Sequence, residues 1–257
     1  MSNPVFYAAA AELGPLVPGE RFALAGAEGR HATTVKRLSA GEAVDLCDGA
    51  GLRLGCTVAE AAPGVLTVLV HQVVHEPAPT PTLTLVQALA KGDRDALAIE
   101  MATELGIDAV VPWQAERSIV RWKLDKALKG QEKWRQVVTA AAKQARRATI
   151  PQLGSLAGTA GVCELIADAD LALILHEEAK DPVAAVARAW SSARERPERP
   201  AKVLMVVGPE GGISPAEVAA FVAAGARTAL LGHHVLRSST AGPAAVVVLN
   251  QELGRWP

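Results

Sequence analysis

Apolar runs alternate with segments of helical periodicity over the last two thirds of the sequence. The runs cover residues 83–89, 109–115, 169–176, 202–207 and 227–231, and the helical patterns cover 95–105, 123–147, 181–194, 214–224 and 239–253. Strands that alternate with helices predict a mostly parallel sheet with helices on both faces. We therefore expect an α/β domain over residues 83–257.

A proline-rich segment precedes this domain. Residues 76–82 contain Pro77, Pro79 and Pro81, and proline disfavours both helices and inner strands, so we expect a linker. Before it, short strand patterns with glycine and aspartate turns occur at 5–9, 21–25, 43–49, 53–62 and 65–74, with a helical insertion at about 29–38. This spacing predicts a small β-barrel or sandwich over residues 1–75.

Composition excludes several classes of protein. Half of the 257 residues are hydrophobic, which argues against wholesale disorder. No stretch reaches the roughly 18 uncharged apolar residues of a membrane span, and the first residues do not resemble a signal peptide. We therefore expect a cytoplasmic protein with no membrane partner. Cys47, Cys56 and Cys163 are far apart and form no C-x-x-C pair, which favours small buried side chains over disulfides or zinc ligands.

The charge of the chain is unevenly distributed. The net charge is −1, yet residues 76–153 hold 12 Lys and Arg against 9 Asp and Glu, and ten of the cations lie in 113–150 with three acids. Such a local excess indicates a nucleic-acid-binding surface. The alternative is a solvated helix face whose terminal cations complement the helix dipole.

Three polar loops follow apolar runs of the α/β domain. In open parallel sheets, ligands bind beyond the carboxyl ends of the strands. A glycine-rich loop at 208–212 follows the run 202–207, and polar segments at 175–178 and 231–241 follow two other runs. No G-x-G-x-x-G or P-loop motif occurs after the first run, which disfavours ordinary dinucleotide and nucleoside-triphosphate sites. We predict that the three loops converge on one pocket.

The histidines of these loops do not predict a metal site. His233 and His234 are adjacent and His176 is distant, without the spacing of a metal-binding helix. Taken alone, the glycine-rich loop favours a tight β–α turn, because Ser214, Pro215 and Glu217 form a standard helix start.

Several motifs occur in a characteristic order along nearly the whole chain. They are Arg30-His31, 35–38, Asp48-Gly49, Lys91-Gly92-Asp93-Arg94, 102–106, Glu116-Arg117-Ser118, 208–212, Leu236-Arg237 and Thr240-Ala241. In this order they resemble the RsmE family of bacterial 16S ribosomal RNA uridine-N3 methyltransferases, in the SPOUT superfamily.

The resemblance implies a fold and a reaction. It implies a PUA-like RNA-binding β domain over 1–75 and, over 83–257, an α/β SPOUT methyltransferase domain with a deep C-terminal trefoil knot. It further implies a homodimer, S-adenosyl-L-methionine as methyl donor, and N3 of uridine 1498 in 16S ribosomal RNA of the small ribosomal subunit as acceptor.

The resemblance also implies a set of cofactor-binding residues. They are Leu175, His176, Glu177, Gly208, Glu210, Gly211, Gly212, Leu231, Gly232, Val235, Leu236 and Ser238. The chain departs from the family pattern where His233 and His234 replace Pro-Arg, where Ser239 replaces an acid, and where Lys143-Gln144-Ala145 replaces Glu-Gln-Ser.

Two residues are candidates for catalysis. We expect Arg237 to neutralise charge that develops on the uracil oxygens, and Glu210 to orient the base or assist proton removal. The alternatives are a capping or ion-pairing role for Arg237, and for Glu210 hydrogen bonds to amides of its own loop.

Basic residues on both predicted domains are candidates for RNA contact. They are Arg30, Lys36, Arg37, Lys91, Arg94, Arg117, Arg121, Lys143, Arg146 and Arg147. Trp113, Trp122 and Trp134 are expected to pack in the interior rather than on bases. Two other functions remain open: a non-catalytic RNA-binding or ribosome-assembly factor, and a SPOUT methyltransferase acting on transfer RNA or a ribose 2′-hydroxyl.

Overall fold

The structure is a computed structural model that describes residues 3–123, 125–193 and 199–256. The chain divides into two compact units. The first unit comprises Met1–Ala78 and Ala142–Ile150, and the second comprises Pro79–Ala141 and Pro151–Pro257. The chain thus crosses between units near the proline-rich segment, and residues 142–150 pack with the first unit although the sequence pattern placed them in the second domain.

The first unit contains a five-stranded sheet. Its strands are β1 (Val5–Tyr7), β2 (Arg21–Leu24), β3 (Ala43–Cys47), β4 (Leu52–Ala62) and β5 (Val65–His75). They pair in the order β1-β3-β4-β5-β2, with β1 parallel to β3 and the other pairs antiparallel. Two short helices, α1 (Ala10–Leu13) and α2 (Gly26–Arg30), accompany the sheet, and α2 runs into a π-helical turn at His31–Val35.

The period-two pattern of β4 and β5 builds the core of this unit. Leu52, Leu54, Cys56 and Val58 are buried on β4, while the residues between them are more exposed. Burial of each large apolar side chain stabilises the fold by about 1.5–3 kcal/mol. Gly29 brings α2 close to the sheet, since a Cβ there would lie 2.4 Å from the carbonyl oxygen of Leu24. Only glycine fits at this approach.

The second unit contains a six-stranded parallel sheet. Its strands are β6 (Thr82–Ala88), β7 (Ala109–Trp113), β8 (Gln152–Leu153), β9 (Leu171–Leu175), β10 (Lys202–Val207) and β11 (Arg227–Ala229). The strand order is β11-β9-β10-β6-β7-β8, and every pairing is parallel. The strands β9, β10 and β11 are therefore neighbours, and the loops that follow them leave the same edge of the sheet.

Among the residues that the structure describes, six helices belong to this α/β arrangement. They are α3 (Arg94–Glu104), α4 (Asp125–Gln144), α5 (Thr159–Ala167), α6 (Val183–Ala193), α7 (Pro215–Ala223) and α8 (Ser238–Glu252). Five of them lie at the predicted helical patterns, and the alternating α/β class predicted for this part of the chain is confirmed. The helix α5 and the short strand β8 were not predicted. Residue 124 and part of the 181–194 pattern lie outside the described residues.

The core of the second unit lies against the buried middle strands. Val86, Ile174, Leu204 and Val206 pack in one cluster with Phe221 of α7. Within the described ranges, no helix is long and apolar enough to cross a membrane. The predicted interior positions of Trp113 and Trp134 are confirmed, since both side chains are buried.

The three cysteines are free thiols. Cys47 and Cys56 are buried in the first unit, and Cys163 is half-buried in α5. Burial raises the pKa of both buried thiols to about 12, so they are protonated and unreactive near neutral pH.

Candidate active site

Two adjoining cavities lie at the carboxyl ends of β9, β10 and β11. The larger, which we call the main cavity, has a volume of about 1160 Å³, and the smaller has a volume of about 140 Å³. They share five lining residues, namely His176, Glu177, Val235, Leu236 and Ala241. The neighbouring positions of the three strands bring these loops together.

Each of the twelve candidate cofactor residues lines one or both of these cavities. His176, Glu177, Gly208, Glu210, Gly211, Gly212, Val235, Leu236 and Ser238 line the main cavity. Leu175, Leu231 and Gly232 line the smaller one. The loops therefore converge in space, while the binding role of these residues stays a prediction.

The loop between β10 and α7 has a defined local structure. The amide of Gly212 donates to the carbonyl of Pro209 at 2.9 Å, and Gly212 has a φ of +72°, a conformation that favours glycine. The helix then begins with Ser214 as its N-cap, whose hydroxyl accepts from the amide of Glu217. This combination turns the chain sharply out of β10 and exposes the backbone of 208–212 to the main cavity.

Arg117 supports this loop from the side of β7. Its Nη1 donates to the carbonyl oxygen of Gly211 at 3.2 Å. A Cβ on Gly211 would lie 3.3 Å from the Cβ of Arg117, so the two segments are in close contact. Arg117 also lines the main cavity. The position of the glycine loop therefore depends on the position of the segment that carries Arg117.

Glu210 connects the glycine loop to the loop that follows β6. Its Oε1 accepts from the backbone amide of Lys91 at 3.0 Å and from Nη1 of Arg94 at 2.9 Å. Burial alone would raise the pKa of Glu210, but hydrogen bonds from its own amide, Arg94 and Lys91 together hold the pKa below its ordinary value. The carboxylate is therefore ionised and a weak base near neutral pH.

Arg237 lies at the start of α8 and faces the main cavity. It is exposed, and its side chain makes no N-cap hydrogen bond. Within the described part of the chain, its guanidinium has no hydrogen-bond or ion-pair partner. The structure therefore gives no support to the capping or ion-pairing alternative for Arg237.

Charged groups of both signs surround the main cavity. Arg94, Arg117 and Arg237 contribute guanidinium groups, and Glu177 and Glu178 contribute carboxylates. No cluster of three metal-binding side chains occurs among the residues the structure describes.

The ring of His176 is held in one orientation beside these carboxylates. Its Nδ1 lies 3.2 Å from the amide of Glu178, which donates to it. In the neutral ring, the proton is therefore on Nε2.

The candidate RNA-binding residues divide between the two units. Lys91, Arg94, Arg117 and Arg121 lie in the second unit, and Arg30, Lys36, Arg37, Lys143, Arg146 and Arg147 lie in the first. The predicted basic helix 123–147 is shorter than expected, because α4 ends at Gln144. Arg146 follows with a left-handed φ of +57°. The two arginines are thus presented by a turn rather than by a helix end.

Lys143 is held by contacts within the first unit. Its Nζ lies 2.8 and 2.7 Å from the two carboxylate oxygens of Glu28, and 4.8 Å from the centre of the Phe6 ring. Its side chain is only 20% exposed. These contacts indicate that Lys143 stabilises the first unit, and its charge can be explained without a contact to RNA.

Sequence reasoning missed one wall of the main cavity. Val218, Ala219, Val222 and Ala223 of α7 line it, and Val222 is 49% exposed. Their spacing of three and four residues places them on one side of the helix. The sequence signal that could have predicted this wall is the apolar stripe of α7, which continues onto an exposed side of the helix.

Comparisons with known proteins agree with this arrangement. A family model described as an RNA methyltransferase domain matches residues 76–250, and one described as an RNA methyltransferase PUA domain matches residues 24–69. The chain is 41% identical over 235 residues to ribosomal RNA small subunit methyltransferase E of Mycobacterium bovis, covering 90% of this chain and 86% of that protein. It is 28% identical over 221 residues to the Bacillus subtilis protein of the same name, covering 86% of each chain.

A solved structure shares the fold over nearly the full length. A ribosomal RNA small subunit methyltransferase E from Neisseria gonorrhoeae, bound to S-adenosyl methionine, superposes with a TM-score of 0.79 at 24% identity. The match covers 97% of this chain and 98% of that chain.

Proposed function

The chain belongs to the ribosomal RNA small subunit methyltransferase E family (RsmE), and from this premise we propose that it methylates N3 of one uridine in small-subunit ribosomal RNA. Its class is that of an S-adenosylmethionine-dependent ribosomal RNA methyltransferase. Uridine N3 as acceptor, uridine 1498 as target and the roles of single residues are our proposals. The observation that carries the proposed cofactor site is the convergence of all twelve candidate cofactor residues on two adjoining cavities, and membership of the family supports the proposed acceptor.

The residues of the two cavities fit S-adenosylmethionine. Its adenosine requires apolar contacts and backbone hydrogen bonds, which Val235, Leu236 and the glycine loop can supply. Its methionine part carries an ammonium and a sulfonium charge, and Glu177 and Glu178 provide carboxylates at the cavity wall. We propose that three loops hold the cofactor, through residues 175–177 of the first, Gly208 and 210–212 of the second, and Leu231, Gly232, Val235, Leu236 and Ser238 of the third.

The methyl acceptor needs an unpaired base. Uridine N3 carries a proton that is engaged in base pairing, so the nucleotide must be held out of a helix. When bound, the cofactor supplies the electrophilic methyl group. We propose that Arg237 binds the uracil oxygens and stabilises the negative charge that grows there as N3 loses its proton. Its freedom from ion pairs in the described chain supports this role.

Glu210 has a different role in this proposal. Its low pKa makes it a poor proton acceptor, and its Oε1 already accepts from Lys91 and Arg94. We propose that Glu210 fixes the glycine loop against the loop after β6, and that the N3 proton leaves to another acceptor.

The RNA surface is proposed from charge and exposure. Arg30, Lys36 and Arg37 are exposed on and after the π-helical turn of the first unit. With Arg146 and Arg147 they place five cations on this PUA-like unit, where phosphate contact provides affinity and orientation. We propose phosphate contacts on the second unit as well, through Lys91, Arg94, Arg117 and Arg121.

Three further features are proposed from the family. We infer a deep trefoil knot in the second unit, a homodimer and a cytoplasmic location.

Nucleoside mass spectrometry tests the proposed reaction. A strain that lacks the gene should lose 3-methyluridine from its small-subunit ribosomal RNA, and the purified protein with S-adenosylmethionine should restore it on subunits from that strain. Loss of a 2′-O-methyl nucleoside, or of a transfer RNA modification, would contradict the proposed acceptor. Failure to bind the cofactor in calorimetry would instead indicate a non-catalytic RNA-binding protein.

A further inference from the structure

Glu217 is a buried carboxylate whose contacts extend beyond its own helix. It lies in the first turn of α7, and the residue is 3% exposed. Its Oε2 accepts from the amide of Ser214 at 3.2 Å, and its own amide donates to the Ser214 hydroxyl at 3.2 Å. These two reciprocal bonds form a capping box, which accounts for the hydrogen bond of Oε2 but not for those of Oε1.

The second oxygen joins two segments that are distant in sequence. Oε1 accepts from the backbone amide of Glu116 at 2.8 Å and from the Thr159 hydroxyl at 3.0 Å. Glu116 lies in the loop after β7, and Thr159 begins α5. A capping box needs neither bond, so helix capping alone does not account for this arrangement.

The loop reached through Glu116 is the one that supports the glycine loop. The next residue, Arg117, donates to the carbonyl of Gly211 and is in close contact with the Gly211 backbone. Ser118 ties the other end of this short segment to the carbonyl of Leu89 at 3.0 Å. Residues 116–118 are therefore held at both ends, and Glu217 provides the attachment to α7.

We propose that Glu217 is a positioning residue for cofactor binding: through the Glu116 amide it sets the place of Arg117, which in turn fixes Gly211. The inference rests on the proposed function, because it takes the glycine loop to hold S-adenosylmethionine. Glu217 itself does not line either cavity, so its effect on the cofactor is transmitted through Arg117.

Substitution of Glu217 by glutamine tests whether both carboxylate oxygens are needed for cofactor binding. Glutamine keeps the length and shape but has one acceptor oxygen instead of two, and its amide group would face a backbone donor. The single oxygen of glutamine can therefore accept either from the Ser214 amide or from the Glu116 amide and the Thr159 hydroxyl. The donors that lose their acceptor are buried, and a buried donor without a partner destabilises the fold. Hydrogen bonds to a charged acceptor are the stronger kind, so a clear effect is expected.

The matched control is Ser214→Ala. It removes the hydroxyl that caps α7 and leaves the Oε1 contacts of Glu217 in place. Both variants should unfold at lower temperature than the wild type. Calorimetry with S-adenosylhomocysteine should give a dissociation constant raised by about tenfold for Glu217→Gln and by less than about twofold for Ser214→Ala. Equal dissociation constants for Glu217→Gln and the wild type would overturn the proposal.

Thr159→Val provides a second variant if Glu217→Gln does not fold. It removes one donor to Oε1 without a change of shape, and it should raise the dissociation constant by about two- to threefold. An unchanged constant for this variant, when Glu217→Gln is unfolded, would count against the proposal.

A double-mutant cycle tests the route through Arg117. In an Arg117→Ala background, Glu217→Gln should change the dissociation constant by less than about twofold, because the link that carries its effect is already absent. A full tenfold effect in that background would show that Arg117 does not transmit it. If the wild type itself bound no S-adenosylhomocysteine, the proposed function would fail, which is a different result from any of these.

Discussion

The Arg94 guanidinium donates to the Glu210 carboxylate across 2.9 Å and thereby joins the loop after β6 to the glycine loop of the main cavity. The same carboxylate oxygen also accepts from the Lys91 amide. One acidic side chain thus connects two of the motifs that carried the family resemblance.

We expect Glu210→Gln to reduce stability in a pH-dependent way. The pKa of Glu210 in the folded protein lies below its ordinary value, so its ionised form stabilises the fold above that value and the contribution is lost as the pH falls through the folded pKa. The variant should therefore unfold at a lower temperature than the wild type at pH 7, and the two melting temperatures should converge at an acidic pH below the folded pKa of Glu210.

The control for this prediction is Glu100→Gln on the exposed side of α3. It should unfold at the wild-type temperature at both pH values. Because Glu210 is a weak base, the pH profile of turnover should keep its shape in Glu210→Gln. If the pH profile of turnover in Glu210→Gln lost its acidic limb, Glu210 would be the proton acceptor after all.

Arg237→Ala should strongly lower turnover while cofactor binding and stability are retained. Loss of a group that stabilises transition-state charge lowers kcat by about 100- to 1000-fold. The guanidinium makes no ion pair among the described residues, so its removal should leave the melting temperature within about 1 °C. Arg227→Ala, an exposed arginine on β11 outside both cavities, is the matched control. A variant that melts early but turns over normally would indicate a structural role.

Lys143→Met should destabilise the first unit and leave RNA affinity nearly unchanged. The ammonium is bound by both oxygens of Glu28 and lies over the Phe6 ring, so its loss should cost about 1–3 kcal/mol of unfolding free energy. Urea denaturation measures this cost. Glu28→Gln should lose a similar amount, and the double variant should lose less than the sum of the two. Additive losses would show that the pair is not coupled.

Local pattern was sufficient for the strands of the second unit other than the two-residue strand β8, and for the loops after β9, β10 and β11. The strand β10 was predicted at 202–207 and occurs at Lys202–Val207, because its apolar run is bounded by Pro200 and Gly208. Once the strands were placed, the general behaviour of parallel sheets indicated that the loops after β9, β10 and β11 would meet. The α5 helix was missed because its nine residues include Gly161 and Val162, which weaken the helical signal.

Contacts between residues far apart in sequence were beyond local pattern. Lys143 appeared as one more cation of a basic helix, and its partner Glu28 is 115 positions away. Glu217 appeared as half of a capping box, yet its second oxygen binds an amide 101 positions away. In both cases the sequence shows a charged side chain but not its partner. The partner is known only from the tertiary fold, which brings Glu28 to Lys143 and the Glu116 amide to Glu217.

The joint substitution Arg146→Ala and Arg147→Ala should weaken RNA binding and flatten its salt dependence. Both residues follow the end of α4 on the first unit, where Arg146 has a left-handed backbone conformation. Each phosphate contact that is lost should reduce the slope of log affinity against log salt concentration by about 0.7–0.9, so the pair should reduce it by about 1.4–1.8. Titration of small ribosomal subunits at several salt concentrations measures the slope. Lys143→Met provides the comparison, because it removes a cation of the same segment that is already neutralised by Glu28. If both variants gave the same slope as the wild type, the RNA contact would lie elsewhere on the protein.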